Sequence, residues 1–272
     1  MEPYVLRDEN GPDRPSSLFM LRTWCDGTNG LTAGFTTRHA GNVALHVGDD
    51  PNSVVSNREA VTGLLGWEFA AFTCAEQVHG SDVRVVTAED AGRGRASRET
   101  AFAGTDAMIT NNPDILLAMF YADCVPLYFY DPVTGAMGLA HAGWKGTVAD
   151  IAGITVEKMR SVYGVLPENM LAAIGPSIGD CCYEVDESVL MHVRPLLDSP
   201  KEEVVKPNEI GDRARLNLKH LNRQLMIKAG IMPSRIEMSS WCTSCHSDLL
   251  FSHRKERGTT GRMMSWLGKK SR

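Results

Sequence analysis

The sequence lacks the features that define several protein classes. A membrane span needs roughly 20 consecutive apolar residues, and the longest apolar run here, residues 115–130, is interrupted by Asp123 and Pro126. The formal net charge is -5, so no electrostatic attraction to nucleic acid or to an anionic membrane is predicted. The chain also has no internal repeat and no proline- or serine-rich linker. These absences favour a globular protein with small-molecule substrates and a single domain over residues 18–270.

The N-terminal segment and the cysteines bear on the cellular compartment. Residues 1–17 carry charges and prolines, whereas a secretory signal has a basic start and an apolar centre. This segment is therefore predicted to be flexible and the protein to be cytoplasmic. Seven cysteines are an odd number, and in a reducing compartment cysteines are more often buried, metal-binding or catalytic than paired. We therefore expect free thiols.

Hydrophobic periodicity predicts helices and strands in mixed order. One helix is predicted with Asn52 or Ser53 as its N-cap. A continuous strand is predicted over residues 72–88, and apolar residues at helical spacing predict a single helix over residues 148–164. Because strands and helices do not alternate strictly, the sequence favours an α+β fold, specifically a layered α/β sandwich with mixed β-sheets.

Two histidines and one cysteine are the strongest candidates for chemistry. His79 lies at a predicted bend of its strand, and Cys124 and His141 each lie at the end of an apolar run. Neutral imidazole and thiolate bind Zn²⁺ or copper, and three such ligands with a fourth position open form a catalytic metal site. Their spacing matches no short zinc signature, and any one of them alone is more often a packed histidine or an inert thiol. Because all three adjoin small residues at strand ends, we predict that they share one cleft.

Three further residues are candidates for supporting roles. Asp123 either orients a ligating imidazole or accepts backbone hydrogen bonds where the strand is broken. Lys145 lies at a predicted helix N-terminus, where free N–H groups and the helix dipole favour a bound phosphate, or it is simply a solvated lysine. Arg254 belongs to a basic cluster with Lys255, Arg257 and Arg262. This cluster is either a solvated surface, or Arg254 reaches into the cleft as an anion clamp.

A second group of cysteines resembles a metal motif. The segment CTSCH at residues 242–246 has the spacing of half a zinc knuckle and of a c-type haem attachment site. Haem attachment would require export, and a structural zinc would require a second ligand pair of similar spacing. Cys181 and Cys182 are adjacent and are poorly placed for that role. The sequence therefore favours thiols that bind no metal, with a redox role as the alternative.

Ordered motifs along nearly the whole chain are similar to those of a known family. They are GFTTRHAG, HVGDDPNSVVSNR, EQVHGSDV, TDAMIT, FYADCVPLYFYDP, GLAHAGWKGT, AAIGPSIGDCCYEV, LNLKHLNRQLMIKAGI and CTSCHSDLLFSHRKERGTTGRM. Together they resemble the YfiH-like or laccase-domain family, long labelled multicopper polyphenol oxidoreductases and now regarded as purine nucleoside phosphorylases.

The resemblance implies a fold, a site and an activity. It implies a layered α/β sandwich and a metal site at His79, Cys124 and His141, the three residues that side-chain chemistry also selects. The implied metal is a catalytic zinc, with copper in some members. The implied reactions are phosphorolysis of adenosine, inosine and S-methyl-5′-thioadenosine, with phosphate as co-substrate, and deamination of adenosine. There are two departures: residues 42–46 follow the TTRHAG motif at once, where the family has a longer loop, and Lys145 stands where arginine is also common.

Three other interpretations stay open from the residues alone. In a metal-free cysteine hydrolase or amidase, Cys124 would be a nucleophile activated by His79 or His141. A copper-dependent polyphenol oxidase would need paired histidine motifs, whereas the eight histidines here are scattered. A non-enzymatic interaction module would use zinc only as a structural staple and would lose its fold on chelation.

Overall fold

The computed structural model describes residues 1–7, 16–27, 30–197, 203–208 and 213–271. Its helices are α1 (Arg22–Gly27), α2 (Pro51–Leu64), α3 (Trp144–Val148), α4 (Ile151–Tyr163), α5 (Glu187–Val193) and α6 (Leu218–Lys228). Within the described ranges, no helix is both long enough and apolar enough to cross a membrane.

The first large sheet contains strands from both ends of the chain. Its order is β1 (Tyr4–Leu6), β2 (Leu18–Leu21), β3 (Leu31–Thr36), β15 (Met263–Lys269), β7 (Leu116–Tyr121) and β4 (Phe72–Cys74). Neighbouring strands are antiparallel except β4 and β7, which are parallel. Strand β15 pairs with both β3 and β7, so the apolar segment near the C-terminus lies at the centre of this sheet.

The second large sheet is built from the middle of the chain. Its order is β14 (Ile236–Met238), β10 (Leu171–Ile174), β8 (Val125–Tyr130), β9 (Met137–Ala142), β6 (Ala107–Thr110) and β5 (Val83–Val85). The two outer pairs are parallel and the inner pairs are antiparallel. A small antiparallel sheet has the order β11 (Glu184–Val185), β13 (Ala214–Leu216) and β12 (Val205–Pro207). These mixed sheets confirm the predicted α+β class.

Three buried clusters show that the elements stack in layers. One cluster joins the two large sheets, with Phe35 of β3 and Tyr128 of β8 among its members. A second packs the other face of the second sheet against α4 and α6, and includes Phe129 and Leu221. A third packs Val61 of α2 against the outer face of the first sheet. The resulting order of helix, sheet, sheet and helix is the layered sandwich predicted from the sequence.

Strand β8 illustrates how the sequence specifies these layers. Its side chains alternate, so that Leu127 and Phe129 face the helices while Tyr128 and Tyr130 face the first sheet. All of its residues are buried. A run that is apolar on both faces is typical of a strand covered on both sides. This buried strand fixes the position of Cys124, which directly precedes it.

Part of the N-terminal segment differs from the prediction. Residues 1–17 are predicted to be flexible, but Tyr4–Leu6 form β1 and pair with β2. The physical reason is the side chain of Tyr4, which is 1% exposed in the core between the two large sheets. Residues 8–15 of this segment lie outside the described residues, and the single domain over residues 18–270 stays a prediction.

Two helix predictions are also corrected. The N-cap of α2 is Asp50 rather than Asn52 or Ser53, because the Asp50 carboxylate accepts the backbone N–H of Ser53 at 3.0 Å. The single helix predicted over residues 148–164 is two helices, α3 and α4. The chain breaks between them at Asp150, whose backbone is left-handed and whose side chain caps α4. A capping aspartate favours starting a new helix over continuing the old one.

Candidate active site

The three predicted metal ligands lie next to the ends of strands. His79 and Cys124 lie where the chain passes from the first large sheet to the second, and His141 lies where it leaves the second. His79 lies between β4 and β5, which belong to different sheets, so the single strand predicted over residues 72–88 is in fact two short strands separated by a bend. Cys124 lies in the short connection from β7 to β8, and His141 lies near the end of β9. The ligand atoms of the three side chains all lie within 4.8 Å of one another.

The left-handed backbone of His79 is held by a buried carboxylate. His79 has a φ of 63°, which is uncommon for a residue other than glycine. Asp106 is 0% exposed and accepts the three consecutive N–H groups of residues 78–80 at 3.1, 3.0 and 2.7 Å. Such a conformation costs on the order of 1–3 kcal/mol and persists only where its surroundings fix it. Asp106 therefore sets the direction in which the His79 side chain leaves the bend.

The same carboxylate fixes the ring of His141. Nδ1 of His141 lies 2.9 Å from Oδ1 of Asp106, and the His141 backbone N–H donates to the Asp106 carbonyl at 2.8 Å. Burial alone would raise the pKa of Asp106, but His141 and the surrounding N–H groups hold that pKa below its usual value. Because an ionised carboxylate only accepts hydrogen bonds, Nδ1 carries a proton and Nε2 is left to bind a metal. A carboxylate paired with an imidazole in this way orients metal-ligating histidines.

Cys124 is held as a thiolate by its neighbours. Burial alone would raise the pKa of the Cys124 thiol, but the charge of His141 and hydrogen bonds from His141 and His79 lower it to about 6. Burial would lower the pKa of His141, but the Cys124 thiolate and Asp106 raise it to about 9. Without a metal, the pair is therefore a thiolate beside an imidazolium at pH 7. The thiolate is the form of cysteine that binds metals and acts as a nucleophile.

Gly143 leaves the space in which two of the ligands meet. A Cβ atom at this position would lie 2.9 Å from Cδ2 of His79 and 3.1 Å from Sγ of Cys124. The φ of Gly143 is -68°, which any residue adopts, so the need for glycine is steric. We expect Gly143→Ala to displace both side chains and to reduce turnover by about a hundredfold, as an ångström-scale misplacement in an active site does. Steady-state kinetics together with the metal content of the variant test this.

Gly63→Ala is the matched control for that substitution. Gly63 lies within α2, and a Cβ atom there would meet nothing within 4 Å. Alanine in a helix interior is more stable than glycine by up to about 1 kcal/mol, so this variant should be slightly more stable and fully active. Wild-type turnover in a folded Gly143→Ala protein would show that the two ligands are not crowded against this glycine.

The three side chains line a cavity of about 360 Å³. Its other walls combine aromatic and basic side chains, namely His46, Phe120, Trp144, Tyr183, His253, Arg254 and Arg262. Cavities of this size with apolar walls and a few converging polar groups are typical of small-molecule sites. The arrangement suits a ligand that has both a flat apolar part and an anionic part.

Two arginines bring positive charge to this cavity. Nη1 of Arg254 donates to the Glu184 carbonyl at 2.9 Å, and its guanidinium lies 5.1 Å from the centroid of the Tyr183 ring. Nη1 of Arg262 donates to two carbonyl groups of its own loop at 2.8 and 3.1 Å. Burial lowers the pKa of Arg262, although arginine stays protonated at neutral pH. Planar guanidinium groups held in this way are suited to bind phosphate oxygens.

The structure also locates the other two predicted supporting residues, Asp123 and Lys145. Asp123 lines the cavity, and its carboxylate accepts the Thr243 hydroxyl at 2.5 Å and the backbone N–H of Arg254 at 2.7 Å, so it anchors the two segments that carry these residues. Lys145 is exposed, with Nζ 5.8 Å from the centroid of the Trp144 ring, and does not belong to the described residues that line the cavity. Its helix has only five residues. A phosphate-binding role for Lys145 therefore stays a prediction.

Sequence reasoning misses three residues of the site. Asp106 precedes an apolar run in the motif TDAMIT, and this is the same kind of signal that Asp123 gives. Gly143 lies two residues after His141 in the motif AHAGW, and a glycine so close to a predicted ligand is a signal that space there is limited. His46 gives no signal in the sequence. Burial and the charge of Arg262 lower the pKa of His46 to about 4, so it is a neutral polar group of the cavity at pH 7.

The donor set fits a catalytic transition-metal site. One thiolate and two imidazoles are the ligands that zinc and copper take in proteins. Asp106 orients the ring of His141, and the cavity leaves room for a further ligand beside Cys124 and His79. The residues present therefore fit a bound Zn²⁺ or copper ion with one open coordination position.

Comparison with known proteins agrees with the motifs. Residues 29–270 match a family model described as multi-copper polyphenol oxidoreductase laccase. Purine nucleoside phosphorylase YlmD of Geobacillus stearothermophilus is 42% identical over 250 residues, which cover 89% of this chain and 91% of that relative. Purine nucleoside phosphorylase YlmD of Bacillus subtilis is 38% identical over 269 residues, which cover 94% of this chain and 95% of that one.

Solved structures extend the similarity to the fold. The crystal structure of YlmD from Geobacillus stearothermophilus has a TM-score of 0.92 at 38% identity and covers 100% of both chains. The crystal structure of Bacillus licheniformis hypothetical protein YfiH has a TM-score of 0.91 at 39% identity and covers 99% of this chain and 100% of that one. The chain therefore belongs to the multi-copper polyphenol oxidoreductase laccase family, which is the laccase-domain family that its motifs resemble.

Proposed function

We propose that this protein is a zinc-dependent purine nucleoside phosphorylase that acts on adenosine, inosine and S-methyl-5′-thioadenosine and also deaminates adenosine. The observation that carries the proposal is the single cavity in which the His79, Cys124 and His141 donor set faces Arg254 and Arg262. Relatives with the name purine nucleoside phosphorylase, matched over most of both chains, support it.

The metal would be held by His79, Cys124 and His141. When bound, Zn²⁺ supplies a Lewis acid and lowers the pKa of a coordinated water towards neutrality. Zinc is proposed ahead of copper because the site has a single set of three ligands, whereas coupled copper oxidation needs several sets. Copper also accepts these ligands, so elemental analysis of the purified protein identifies the metal.

The nucleoside and the phosphate would occupy neighbouring parts of the cavity, since the Arg254 guanidinium lies 5.1 Å from the centroid of the Tyr183 ring. Phe120 and Tyr183 offer aromatic surface to a purine ring. Arg254 and Arg262 offer positive charge to phosphate, which is the anionic co-substrate of phosphorolysis. His46 is neutral at pH 7 because its pKa is about 4, so it contributes hydrogen bonds rather than charge.

Phosphorolysis requires the residues of the cavity to manage one bond exchange. A phosphate oxygen forms a bond to ribose C1′ while the bond from C1′ to the purine nitrogen breaks, and the electron pair leaves with the base. The products are the free base and ribose 1-phosphate, or 5-methylthioribose 1-phosphate from S-methyl-5′-thioadenosine, and the base takes up the proton that the hydrogen phosphate releases. Burial and the nearby Cys124 thiolate raise the pKa of Tyr183 to about 12, so its hydroxyl stays protonated and is available as a hydrogen-bond donor to the departing base.

Product analysis tests the proposal. The purified protein is incubated with each of the three nucleosides, with and without phosphate, and the products are separated by chromatography. Free adenine from adenosine or S-methyl-5′-thioadenosine, or hypoxanthine from inosine, that forms only with phosphate would support phosphorolysis, and inosine formed from adenosine without phosphate would support deamination. Absence of every one of these products from zinc-loaded protein would overturn the proposal.

A cysteine hydrolase is the second candidate, because the thiolate of Cys124 beside His141 also suits nucleophilic catalysis. In metal-free protein we expect iodoacetamide to alkylate Cys124 rapidly at pH 7. The rate should fall as the pH drops below about 6, where the thiol is protonated. Mass spectrometry of the peptide that contains Cys124 gives the rate, and Cys25 serves as an internal reference because burial raises the pKa of its thiol.

Zinc separates the two candidates. If Cys124 is a metal ligand, zinc-loaded protein should resist alkylation at every pH and should be the active form. If metal-free protein is fully active and is inactivated in proportion to alkylation of Cys124, the hydrolase interpretation is correct and the metal is not needed.

A further inference from the structure

Four of the seven cysteines form a second cluster away from the cavity. The Sγ atoms of Cys181, Cys182, Cys242 and Cys245 all lie within 4.8 Å of one another. Sγ of Cys245 lies 3.5 Å from Sγ of Cys181 and 3.5 Å from Sγ of Cys182. The prediction that the adjacent pair is poorly placed to complete the CTSCH motif is therefore wrong.

The topology of the second sheet explains why these cysteines meet. Strands β10 and β14 are parallel neighbours, so the segments that follow them leave the same edge of the sheet. Each segment carries one pair of cysteines. The two segments are joined by a parallel bridge between Ser177 and Cys242, and the Thr243 N–H donates to the Ser177 carbonyl at 3.1 Å. Sequence spacing alone does not reveal this pairing.

We propose that Cys181, Cys182, Cys242 and Cys245 bind a Zn²⁺ ion as a tetrathiolate site. Zinc–sulfur bonds of about 2.3 Å in a tetrahedron place the sulfur atoms about 3.8 Å apart. The two separations of 3.5 Å from Cys245 and the upper limit of 4.8 Å for all pairs bracket that value. All four residues are free thiols, and four cysteine ligands leave no open position, so this zinc is structural rather than catalytic.

The surroundings of the cluster suit metal-bound thiolates. The Gly179 N–H donates to Sγ of Cys242 at 3.2 Å. A Cβ atom at Gly179 would lie 3.1 Å from Sγ of Cys181, so the backbone passes close against the sulfur atoms. The ammonium of Lys219 is buried and donates to the carbonyl of Trp241, the residue before Cys242, at 3.0 Å. A buried cation near this segment offsets the negative charge of a tetrathiolate site.

The site would tie together two walls of the cavity. Ile178 and Tyr183 line the cavity on either side of the first cysteine pair, and Arg254 lines it beyond the second pair. The zinc is thus inferred to position these walls while contacting no substrate. This inference does not depend on the proposed function, because it is tested by metal content rather than by turnover.

Metal analysis of four full-length proteins provides the test. We expect two zinc ions per chain in the wild type, one in Cys245→Ser and one in Cys124→Ala. The matched control Cys25→Ser, which changes a cysteine outside both clusters, should keep two. Equal zinc content in the wild type and Cys245→Ser would overturn the proposal.

A second measurement covers the case in which Cys245→Ser does not fold. The zinc that stays in Cys124→Ala is examined by X-ray absorption, and we expect a first shell of sulfur alone at about 2.3 Å. A shell that contains nitrogen or oxygen ligands would contradict the assignment. So would a disulfide among these four cysteines in protein purified under reducing conditions, since paired thiols cannot bind the ion.

Discussion

Replacing Cys124 with alanine is expected to abolish phosphate-dependent release of adenine from adenosine, with a loss of more than about a hundredfold. Changing a group that only orients a metal ligand costs about 10- to 100-fold, and Cys124 is proposed as a ligand itself, within 4.8 Å of both imidazoles. The variant should also lose one zinc ion per chain. The thiol occupies the connection between β7 and β8 and is partly exposed to the cavity, so its removal should leave the fold intact.

Two comparisons decide what the Cys124→Ala result means. Cys25→Ala removes a thiol outside both cysteine clusters and should keep full activity and full zinc content. Wild-type protein stripped of metal by a chelator should behave like Cys124→Ala and recover when zinc is added. A folded Cys124→Ala protein with wild-type turnover would refute a catalytic role for this residue in either the metal or the nucleophile interpretation.

Asp106→Asn is expected to reduce zinc affinity and turnover by about 10- to 100-fold, the range found when a group that orients a metal ligand is changed. The carboxylate accepts the N–H groups of residues 78–80 and contacts Nδ1 of His141. An asparagine amide would present N–H donors to groups that are themselves donors. Both His79 and His141 should therefore lose their fixed orientations. Zinc titration with a competing chelator measures the loss of affinity directly.

Asp131→Asn separates positioning from general stability. Asp131 is 1% exposed and accepts two backbone N–H groups, each at 3.1 Å, in the turn between β8 and β9. Its replacement should also lower the free energy of unfolding, because one of the two carboxylate oxygens that accept these N–H groups becomes an amide NH2 group. It should leave zinc affinity unchanged. If both variants lose stability and neither loses zinc affinity, Asp106 stabilises the fold without positioning the ligands.

Local chemistry was enough to predict the layered fold and the three candidate ligands. The apolar runs around Cys124 and His141 are buried strands because each is covered on both faces, and that pattern is visible in the sequence. The helices were predicted less well. Asp50 and Asp150 each cap a helix by accepting a backbone N–H group. An aspartate in the sequence does not show whether the chain starts a new helix there or continues the preceding element.

Contacts between distant segments could not be predicted from one sequence. Strand β15 lies between β3 and β7, and no local pattern indicates this pairing. For the same reason the sequence points to Lys145 and Arg254 alike as phosphate ligands, whereas the residues that line the cavity are Arg254 and Arg262. The meeting of Cys181 with Cys245 depends on the parallel pairing of β10 and β14. Such non-local contacts depend on the whole fold. The residue types alone reveal only which side chains could bind a metal or an anion.

Formation of ribose 1-phosphate during a zinc titration tests most directly whether the metal site and the phosphorolysis site are one. Metal-free protein is mixed with adenosine and phosphate, zinc is added stepwise, and ribose 1-phosphate and adenine are quantified together. We predict no product without zinc and equal amounts of both products once the site formed by His79, Cys124 and His141 is filled. The same rate with and without zinc, or no ribose 1-phosphate from fully loaded protein, would contradict this function.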